Sequence, residues 1–166
     1  MGRRRRPSPL LPTPHGWALV FTLRPQTLST HQGQMSFPGG RADPEDSTPV
    51  ATALRECHEE LGVPPHTVRL LGRLGRVPSG GARVNVHAFV GALPPDTTFQ
   101  PNPAEVAEVV IIPIADLQKP DCHRVETRDF MGRSVPVHFY EWRGYTIWGL
   151  TGFLVHELLK RWPNPR

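Results

Sequence analysis

Three glutamates within five positions carry the strongest chemical signal in the sequence: Glu56, Glu59 and Glu60. Their spacing of three and four residues allows all three to share one face of a helix. Clustered carboxylates repel one another at neutral pH, so a chain keeps such a cluster where solvent or cations neutralise it. Oxygen ligands suit hard ions such as Mg²⁺ or Mn²⁺. The pattern therefore predicts either a solvated acidic helix face or a divalent metal site.

The residues around this cluster favour the metal site. Arg55 precedes Glu59 by four residues, a spacing that allows an ion pair to orient Glu59. A double glycine and a loop acid lie upstream, and a glycine with an apolar residue lies downstream: Gly39-Gly40, Asp46, Gly62 and Val63. A bare acidic helix face needs none of these features, so their combination indicates a built loop–helix–loop site.

A helix over 50–61 is predicted to present the glutamates. Thr48 can cap its first turn, with Pro49 at the first helical position. Apolar residues then recur near helical spacing, and Gly62 stands where a C-cap glycine belongs. The helix is therefore expected to begin and end within a residue or two of these signals.

The rest of the chain predicts an α/β fold, with helices on both sides of a mixed β-sheet. Strands are expected at 16–23, 68–77, 84–93 and 106–114, a helical turn at 114–118, a late hairpin at 135–142 and 145–149, and a final helix at 150–162. The 166 residues fit one domain, which we place at 15–166.

Residues 1–14 are predicted to form a flexible, basic, proline-rich arm. The run Arg3–Arg6 contributes to the net charge of +4 and could contact nucleic acid or an anionic membrane. A solvated tail is the favoured interpretation, because the run is short and prolines rather than aromatic residues follow it. Nucleic acid is therefore not an expected partner.

Composition narrows the remaining functional classes. No stretch is long and apolar enough to span a membrane, and no secretory signal is present, so the cytoplasm is the simplest compartment. Cys57 and Cys122 form neither a disulfide framework nor a zinc pattern, and Cys57 is expected to be a packed side chain. The histidines, including His58, His87 and His138, lack metal-ligand spacing in the sequence.

The segment 39–63 resembles the Nudix box, in which a glycine, an acid and R-E-x-x-E-E-x-G-apolar occur at fixed spacing. Two departures stand out: Asp46 replaces the usual glutamate, and the gap from Asp46 to Arg55 is one residue longer. Both departures are found in the coenzyme A pyrophosphatase branch of the Nudix family. The resemblance implies the Nudix fold, an α/β/α sandwich.

Two further segments resemble that branch. Upstream, 31–40 is similar to its H-x-G-Q-x-x-F-P-G-G signature, although Pro25 replaces the serine of the preceding L-x-x-R-S-x-x-L. Near the C-terminus, 142–151 is also similar to the branch, so the likeness covers most of residues 16–160. It implies metal-dependent hydrolysis of coenzyme A, or its derivatives, to 3′,5′-ADP and 4′-phosphopantetheine.

The resemblance also implies roles for individual residues. It gives Glu56, Glu60, Glu59 and the Gly40 carbonyl as metal ligands, and Glu59, Glu56 and Arg55 as catalytic residues. Mg²⁺ or Mn²⁺ would neutralise the pyrophosphate oxygens and acidify a water molecule. Which acid accepts the water proton stays open.

Outside the box, Glu105 and Glu108 are candidates for one extra carboxylate, with a solvated position as the alternative. Arg24, His31 and Arg41 are candidate substrate contacts. His31 could equally stabilise its loop through a hydrogen bond, and Arg24 and Arg41 could equally be surface arginines.

Two alternative functions stay open. One is a Nudix pyrophosphatase for ADP-ribose, NADH or a dinucleoside polyphosphate. The other is a non-catalytic domain that binds a nucleotide or RNA, against which the complete acidic set argues. The expected partner is a small nucleotide-type molecule, and the sequence leaves a homodimer open.

Overall fold

The computed structural model describes residues 4–27, 33–79 and 84–163, and these form ten strands and three α-helices. The strands are β1 (Arg4–Thr13), β2 (Gly16–Leu23), β3 (Met35–Ser36), β4 (Gly40–Arg41), β5 (Arg69–Ser79), β6 (Val84–Ala92), β7 (Glu108–Pro113), β8 (His123–Phe130), β9 (Arg133–Trp142) and β10 (Tyr145–Ile147). The helices are α1 (Pro49–Leu61), α2 (Ile114–Leu117) and α3 (Gly149–Leu159). Within these ranges no helix has the length and apolar character needed to cross a membrane.

Seven strands form one mixed sheet. Its central order is β3-β2-β1-β6-β5, while β4 adds to β1 and β7 adds to β2. The β1–β6 pair is parallel and the remaining pairs of this sheet are antiparallel. A second, antiparallel sheet has the order β10-β9-β8.

Helices cover both faces of the main sheet, as predicted for an α/β/α sandwich. Successive strand residues point to opposite faces, so neighbours in β1 and β2 enter different cores. Leu11 and Val20 pack with α1 residues Cys57 and Leu61. Leu10, Leu19 and Phe21 pack on the other face with α3 residues Leu154, Val155 and Leu158. The predicted fold class is confirmed.

The helix that carries the glutamates begins and ends where its capping residues predict. The Thr48 hydroxyl accepts a hydrogen bond from the Ala51 amide at 3.0 Å, and Pro49 opens the helix. Gly62 adopts a left-handed conformation, with φ 71°, and its amide donates to the His58 carbonyl at 2.8 Å. Both ends of α1 are thus fixed by local sequence.

The N-terminal segment corrects the prediction of a flexible arm at 1–14. Arg4–Thr13 is strand β1, and its residues Leu10 and Leu11 are buried in the two cores. The prolines misled the prediction, because proline is rare inside sheets. Pairing with β2 covers 10–13 and pairing with β4 covers 4–5. Pro7 and Pro9 therefore fall where the described strands pair β1 on the β6 side alone.

Strand β8 is an element that the sequence analysis missed, whereas the other predicted strands, the late hairpin and the final helix are present near their expected positions. Most β8 residues are exposed, and the strand pairs with β9 at the margin of the molecule. Its sequence, HRVETRDF, lacks the alternation of apolar and polar residues that marks a half-buried strand.

The two cysteines are buried free thiols on different elements. Cys57 is 1% exposed, and burial raises its pKa to about 12. A thiol with that pKa is a poor nucleophile at neutral pH, so Cys57 is a packing residue, as predicted.

Candidate metal centre

The three glutamates of α1 lie on one side of the helix but differ in exposure. The Glu59 side chain is 47% exposed, whereas that of Glu56 is 13% exposed. Glu60 turns toward the preceding loop, where its Oε1 lies 3.5 Å from the Gly39 amide. Glu56 and Glu60 therefore form the inner part of the acidic cluster, and Glu59 forms its rim.

The double glycine brings backbone against these carboxylates. A Cβ atom built on Gly40 would overlap the Glu56 carboxylate. Gly39 has φ 146°, and a Cβ there would overlap the Arg5 carbonyl of β1. The β1–β4 pairing, in which Arg5 lies opposite Gly40, holds this turn in place. Only glycines allow the loop to lie this close to both the strand and α1.

Arg55 is the centre of an ion-pair network on the outer side of the cluster. Its Nε and Nη2 both donate to the Asp46 carboxylate at 3.0 Å, a bidentate arrangement. Nη1 donates to Glu59 at 3.0 Å and to Glu56 at 3.3 Å. Nη2 also donates to the Arg41 carbonyl at 2.9 Å. The expected Arg55–Glu59 pair is thus one contact of several, and the guanidinium ties the loop to the helix.

The pKa values separate the outer network from the inner carboxylates. Hydrogen bonds from Arg55 hold the pKa of Asp46 well below its usual range. By contrast, burial raises the pKa of Glu60 to about 8, and the Glu56 charge adds to that shift. Burial likewise raises the pKa of Glu56. The inner pair is therefore short of positive charge.

Arg6 is a neighbour of this pair that the sequence analysis assigned to the arm. Its Nη1 donates to the Phe37 carbonyl at 2.6 Å, just before the double glycine. Burial lowers its pKa, while the charges of Glu60 and Glu56 oppose that shift. Its Nε is buried, and no hydrogen-bond partner is found for it among the described residues. The side chain therefore places a cation behind the carboxylates.

Of the two extra carboxylates considered, Glu105 is near enough for its charge to act on the glutamates of α1. Its negative charge contributes to the raised pKa of both Glu56 and Glu60. The loop that carries it is fastened to the end of α1, since the Asn102 amide donates to the Glu60 carbonyl at 3.0 Å. Glu108 is engaged elsewhere, because it accepts a hydrogen bond of 2.5 Å from the Tyr145 hydroxyl.

The three candidate substrate contacts have different surroundings. Arg24 joins the end of β2 to the following segment through its backbone, and its charge acts on Arg6. Arg41 is exposed beside the loop, and its carbonyl accepts a hydrogen bond from Arg55 Nη2. His31 lies outside the described residues.

A cavity of about 530 Å³ opens at the end of β2. It is lined by Leu23, Gly33, Gln34, Met35, Gly144, Tyr145, Thr146 and Trp148. The Leu23 carbonyl accepts a hydrogen bond from the Ala107 amide at 2.8 Å. Because Ala107 is two residues from Glu105, the cavity adjoins the loop that supplies the extra carboxylate.

The chemistry of the inner residues, rather than their present spacing, matches a hard divalent cation, since within the described part of the chain their oxygens do not converge as a three-ligand group. Glu56, Glu60 and Glu105 offer carboxylate oxygens, which Mg²⁺ and Mn²⁺ prefer. The raised pKa values of the first two show that burial leaves their charges poorly compensated. A cation would remove that penalty, and the missing Cβ of Gly40 keeps backbone close to Glu56.

The network predicts that Arg55→Lys lowers the kcat of the metal-dependent hydrolysis implied by the resemblance roughly tenfold, the low end of the effect of losing a residue that orients metal ligands. Lysine keeps the charge but cannot form the bidentate contact with Asp46 or reach all three acids. Steady-state kinetics at saturating Mg²⁺ would measure the change. Arg124→Lys, at an exposed ion pair on β8, is the matched control. Equal activity of both variants would contradict a positioning role for Arg55.

Comparison with known proteins identifies the family. The NUDIX domain model matches residues 10–133. The chain is 38% identical over 143 residues to the uncharacterized Nudix hydrolase NudL of Photorhabdus laumondii, covering 86% of this chain and 76% of that protein. It is 36% identical to the corresponding NudL of Yersinia enterocolitica, with coverage of 86% and 73%. The chain belongs to the Nudix hydrolase family, whose members generally use divalent metal ions.

Solved structures agree on the fold. A MutT/nudix family protein from Enterococcus faecalis has a TM-score of 0.67 and 13% identity, covering 96% of this chain and 61% of that one. The NUDIX domain of Shewanella oneidensis NrtR, solved with ADP ribose, has a TM-score of 0.56 and 22% identity, with coverage of 71% and 77%. At these identities the likeness supports the fold alone.

Proposed function

We propose that this Nudix hydrolase cleaves the pyrophosphate bond of coenzyme A or its derivatives, giving 3′,5′-ADP and 4′-phosphopantetheine. One water molecule is consumed, and its oxygen ends on one of the two phosphates. The observation that carries the coenzyme A assignment is a meeting of two distant segments. Residues 33–35 of the upstream signature, and residues 144–146 and 148 of the C-terminal segment, line the same cavity. Both segments resemble the coenzyme A pyrophosphatase branch.

In this proposal Glu56 and Glu60 hold the divalent ion, Mg²⁺ or Mn²⁺, with the Gly40 carbonyl as a further ligand. Glu59, at the exposed rim, and Glu105, on the facing loop, complete the carboxylate set. The bound ion supplies neutralisation of phosphate charge and a more acidic water molecule. Arg55 is a positioning residue, because it fixes Glu59 and Glu56 through ion pairs of 3.0 and 3.3 Å.

The proton of the attacking water needs an acceptor within hydrogen-bond reach. Glu59 and Glu56 are the proposed acceptors from α1. Arg55 donates to both carboxylates, and its charge opposes the rise in the pKa of Glu56 that burial causes. Arg24 and Arg41 are retained as proposed phosphate contacts. Arg41 stands on the turn beside Gly40, where an exposed guanidinium can reach a substrate oxygen.

The cavity supplies surfaces for the two ends of the substrate. Tyr145 and Trp148 offer aromatic faces to a base, and Leu23 and Met35 offer apolar contact to the pantetheine chain. Trp148 is 37% exposed and is one of the residues that line the cavity. This combination fits a nucleotide joined to a partly apolar arm better than it fits a symmetrical dinucleotide.

Product analysis tests the proposal. The purified protein would be incubated with Mg²⁺ or Mn²⁺ and, in parallel, coenzyme A, ADP-ribose, NADH and diadenosine polyphosphates. We expect the highest kcat/KM for coenzyme A, with 3′,5′-ADP and 4′-phosphopantetheine in equal amounts. Preferential cleavage of another substrate would keep the chemistry and overturn the coenzyme A assignment. Metal-dependent cleavage of none of them would favour the non-catalytic binding function.

A further inference from the structure

Three histidines from three elements meet at the junction of α3 with the second sheet. They are His123 on β8, His138 on β9 and His156 on α3, and one ring nitrogen from each lies within 4.8 Å of the others. His123 Nε2 and His138 Nδ1 are 2.9 Å apart. His138 is 8% exposed. The sequence spacing of these histidines does not indicate a ligand group, because the fold joins residues that the sequence separates.

Strand register and one glycine explain the convergence. His123 is opposite Tyr140 and Val125 is opposite His138, so His123 and His138 are diagonal neighbours on one face. A Cβ on Gly152 would overlap the His138 carbonyl, so the glycine allows α3 to approach β9 closely. His156 follows Gly152 by four residues and therefore lies on the same face of α3.

We propose that His123, His138 and His156 form a second metal site, for a borderline transition ion of the Zn²⁺ class. Three imidazole nitrogens suit such an ion, whereas Mg²⁺ prefers oxygen. The ion is distinct in both position and ligand chemistry from the one bound by the α1 carboxylates. Its coordination would connect α3 to strands β8 and β9 of the second sheet.

The observed spacing is close to what Zn²⁺ needs. Zn–N bonds of about 2.0–2.1 Å in a tetrahedral site place ligand nitrogens roughly 3.3 Å apart. The gap of 2.9 Å between His123 Nε2 and His138 Nδ1 is somewhat shorter than this spacing, and the three ring nitrogens lie within 4.8 Å of one another. Small side-chain rotations would bring all three to the spacing that Zn²⁺ needs. The His138 and His156 rings are now stacked with centroids 3.9 Å apart, so one of them must turn to direct its lone pair at the ion.

The electrostatic surroundings are compatible with a bound cation. Burial, together with the neighbouring histidines, lowers the pKa of His138, and burial lowers that of His123. A lowered pKa favours the neutral imidazole, which is the form that binds metal. The Glu157 charge attracts positive charge toward His138, while Lys160 opposes it. Tyr140 stacks on His123 at 4.5 Å and restrains that ring.

Calorimetry with Zn²⁺ on the full, tag-free chain tests this site. A background carrying Glu56→Gln and Glu60→Gln removes competing binding at the α1 carboxylates. We expect this background to bind one equivalent of Zn²⁺. His156→Gln is expected to weaken binding at least about 10- to 100-fold, since even outer partners of metal ligands have effects of that size. His66→Gln, on an exposed turn, is the matched control and should leave the affinity unchanged.

A second readout separates ligation from general destabilisation. Co²⁺ in a tetrahedral nitrogen site gives visible absorption bands, and we expect them in the background protein and in His66→Gln but not in His156→Gln. His156 is partly exposed on α3, so this variant should fold even if His138→Asn does not. Unchanged Zn²⁺ affinity and unchanged Co²⁺ bands in folded His156→Gln would overturn the proposal. So would an absence of Zn²⁺ binding by the folded background protein.

Discussion

Replacing Glu60 with glutamine is expected to lower kcat by about 10³-fold, since a metal ion contributes several kcal/mol to catalysis and each 1.4 kcal/mol is tenfold. Glutamine keeps the shape and removes the charge from the most buried glutamate of the proposed site. Steady-state kinetics over a range of Mg²⁺ concentrations would measure the loss. Because the charge itself is missing, high Mg²⁺ should restore little of it.

The matched control is Glu141→Gln, an exposed glutamate on β9 that pairs with Arg124. It makes the same chemical change away from the acidic cluster and should retain wild-type kcat. If Glu60→Gln kept more than about a tenth of the activity, Glu60 could not be a principal metal ligand, since one lost ligand should cost more than the roughly 10-fold of an outer partner.

The same variant should be more stable than the wild type when metal is removed. Burial raises the pKa of Glu60 from its ordinary value of 4.5 to about 8. The folded chain therefore holds this proton more tightly than the unfolded chain does. That contribution to stability is fully present below pH 4.5 and is lost as the pH rises toward 8. Glutamine does not ionise, so the variant keeps its stability as the pH rises.

Thermal unfolding in excess chelator checks this linkage. At pH 8 the Tm of Glu60→Gln should exceed that of the wild type, and the difference should shrink as the pH falls toward 5. A lower Tm for the variant at pH 8 would show that the buried carboxylate is already compensated without metal. Higher stability with lower activity would mark Glu60 as a residue kept for function at a cost in folding.

The part of the site on α1 could be predicted because its determinants are local. Thr48, Pro49 and Gly62 fix the ends of the helix, and the three- and four-residue spacings then fix which side chains share a face. The helical spacing alone was enough to predict the ion pair between Arg55 and Glu59. Sequence reasoning is reliable here because no distant segment decides the geometry.

The contributions from distant segments could not be read in the same way. Arg6 lies near the carboxylates because β1 pairs with β4, with Arg5 opposite Gly40, a contact between segments that are distant in the sequence. Prolines recur along β1, and because proline is rare inside sheets the sequence did not predict a strand there. The histidine group depends on the β8–β9 register and on the approach of α3 at Gly152, and none of these leaves a local pattern.

The structure gives a physical reason for the aspartate at position 46, where the family pattern has glutamate. Aspartate is one methylene shorter than the usual glutamate, and the spacer to Arg55 is one residue longer. In the structure the Asp43 amide donates a hydrogen bond of 2.8 Å to the Asp46 carboxylate, which closes a turn in the loop. The shorter side chain then makes the full bidentate contact with Arg55. The longer loop therefore compensates for the shorter acid.

Alanine at each of the two adjacent glycines should have a different effect, on activity at Gly40 and on stability at Gly39. At Gly40 the new methyl group would meet the Glu56 carboxylate, which is the free end of a flexible side chain. That carboxylate can rotate away at little cost to folding. The rotation removes it from the metal-binding geometry, and a displacement of about 1 Å can cost roughly 10²-fold in rate. We expect Gly40→Ala to lose activity at near wild-type Tm.

At Gly39 the methyl group would meet the Arg5 carbonyl, which is backbone inside β1, and φ is 146°. Neither the strand nor the dihedral angle can adjust easily, so Gly39→Ala should lose stability, by about 1–3 kcal/mol. Gly72→Ala is the control for both, because no atom lies within 4 Å of its Cβ position. Thermal unfolding and kinetics on the three variants separate the effects. If Gly40→Ala unfolded as early as Gly39→Ala, the close approach at Gly40 would serve the fold rather than the placement of Glu56.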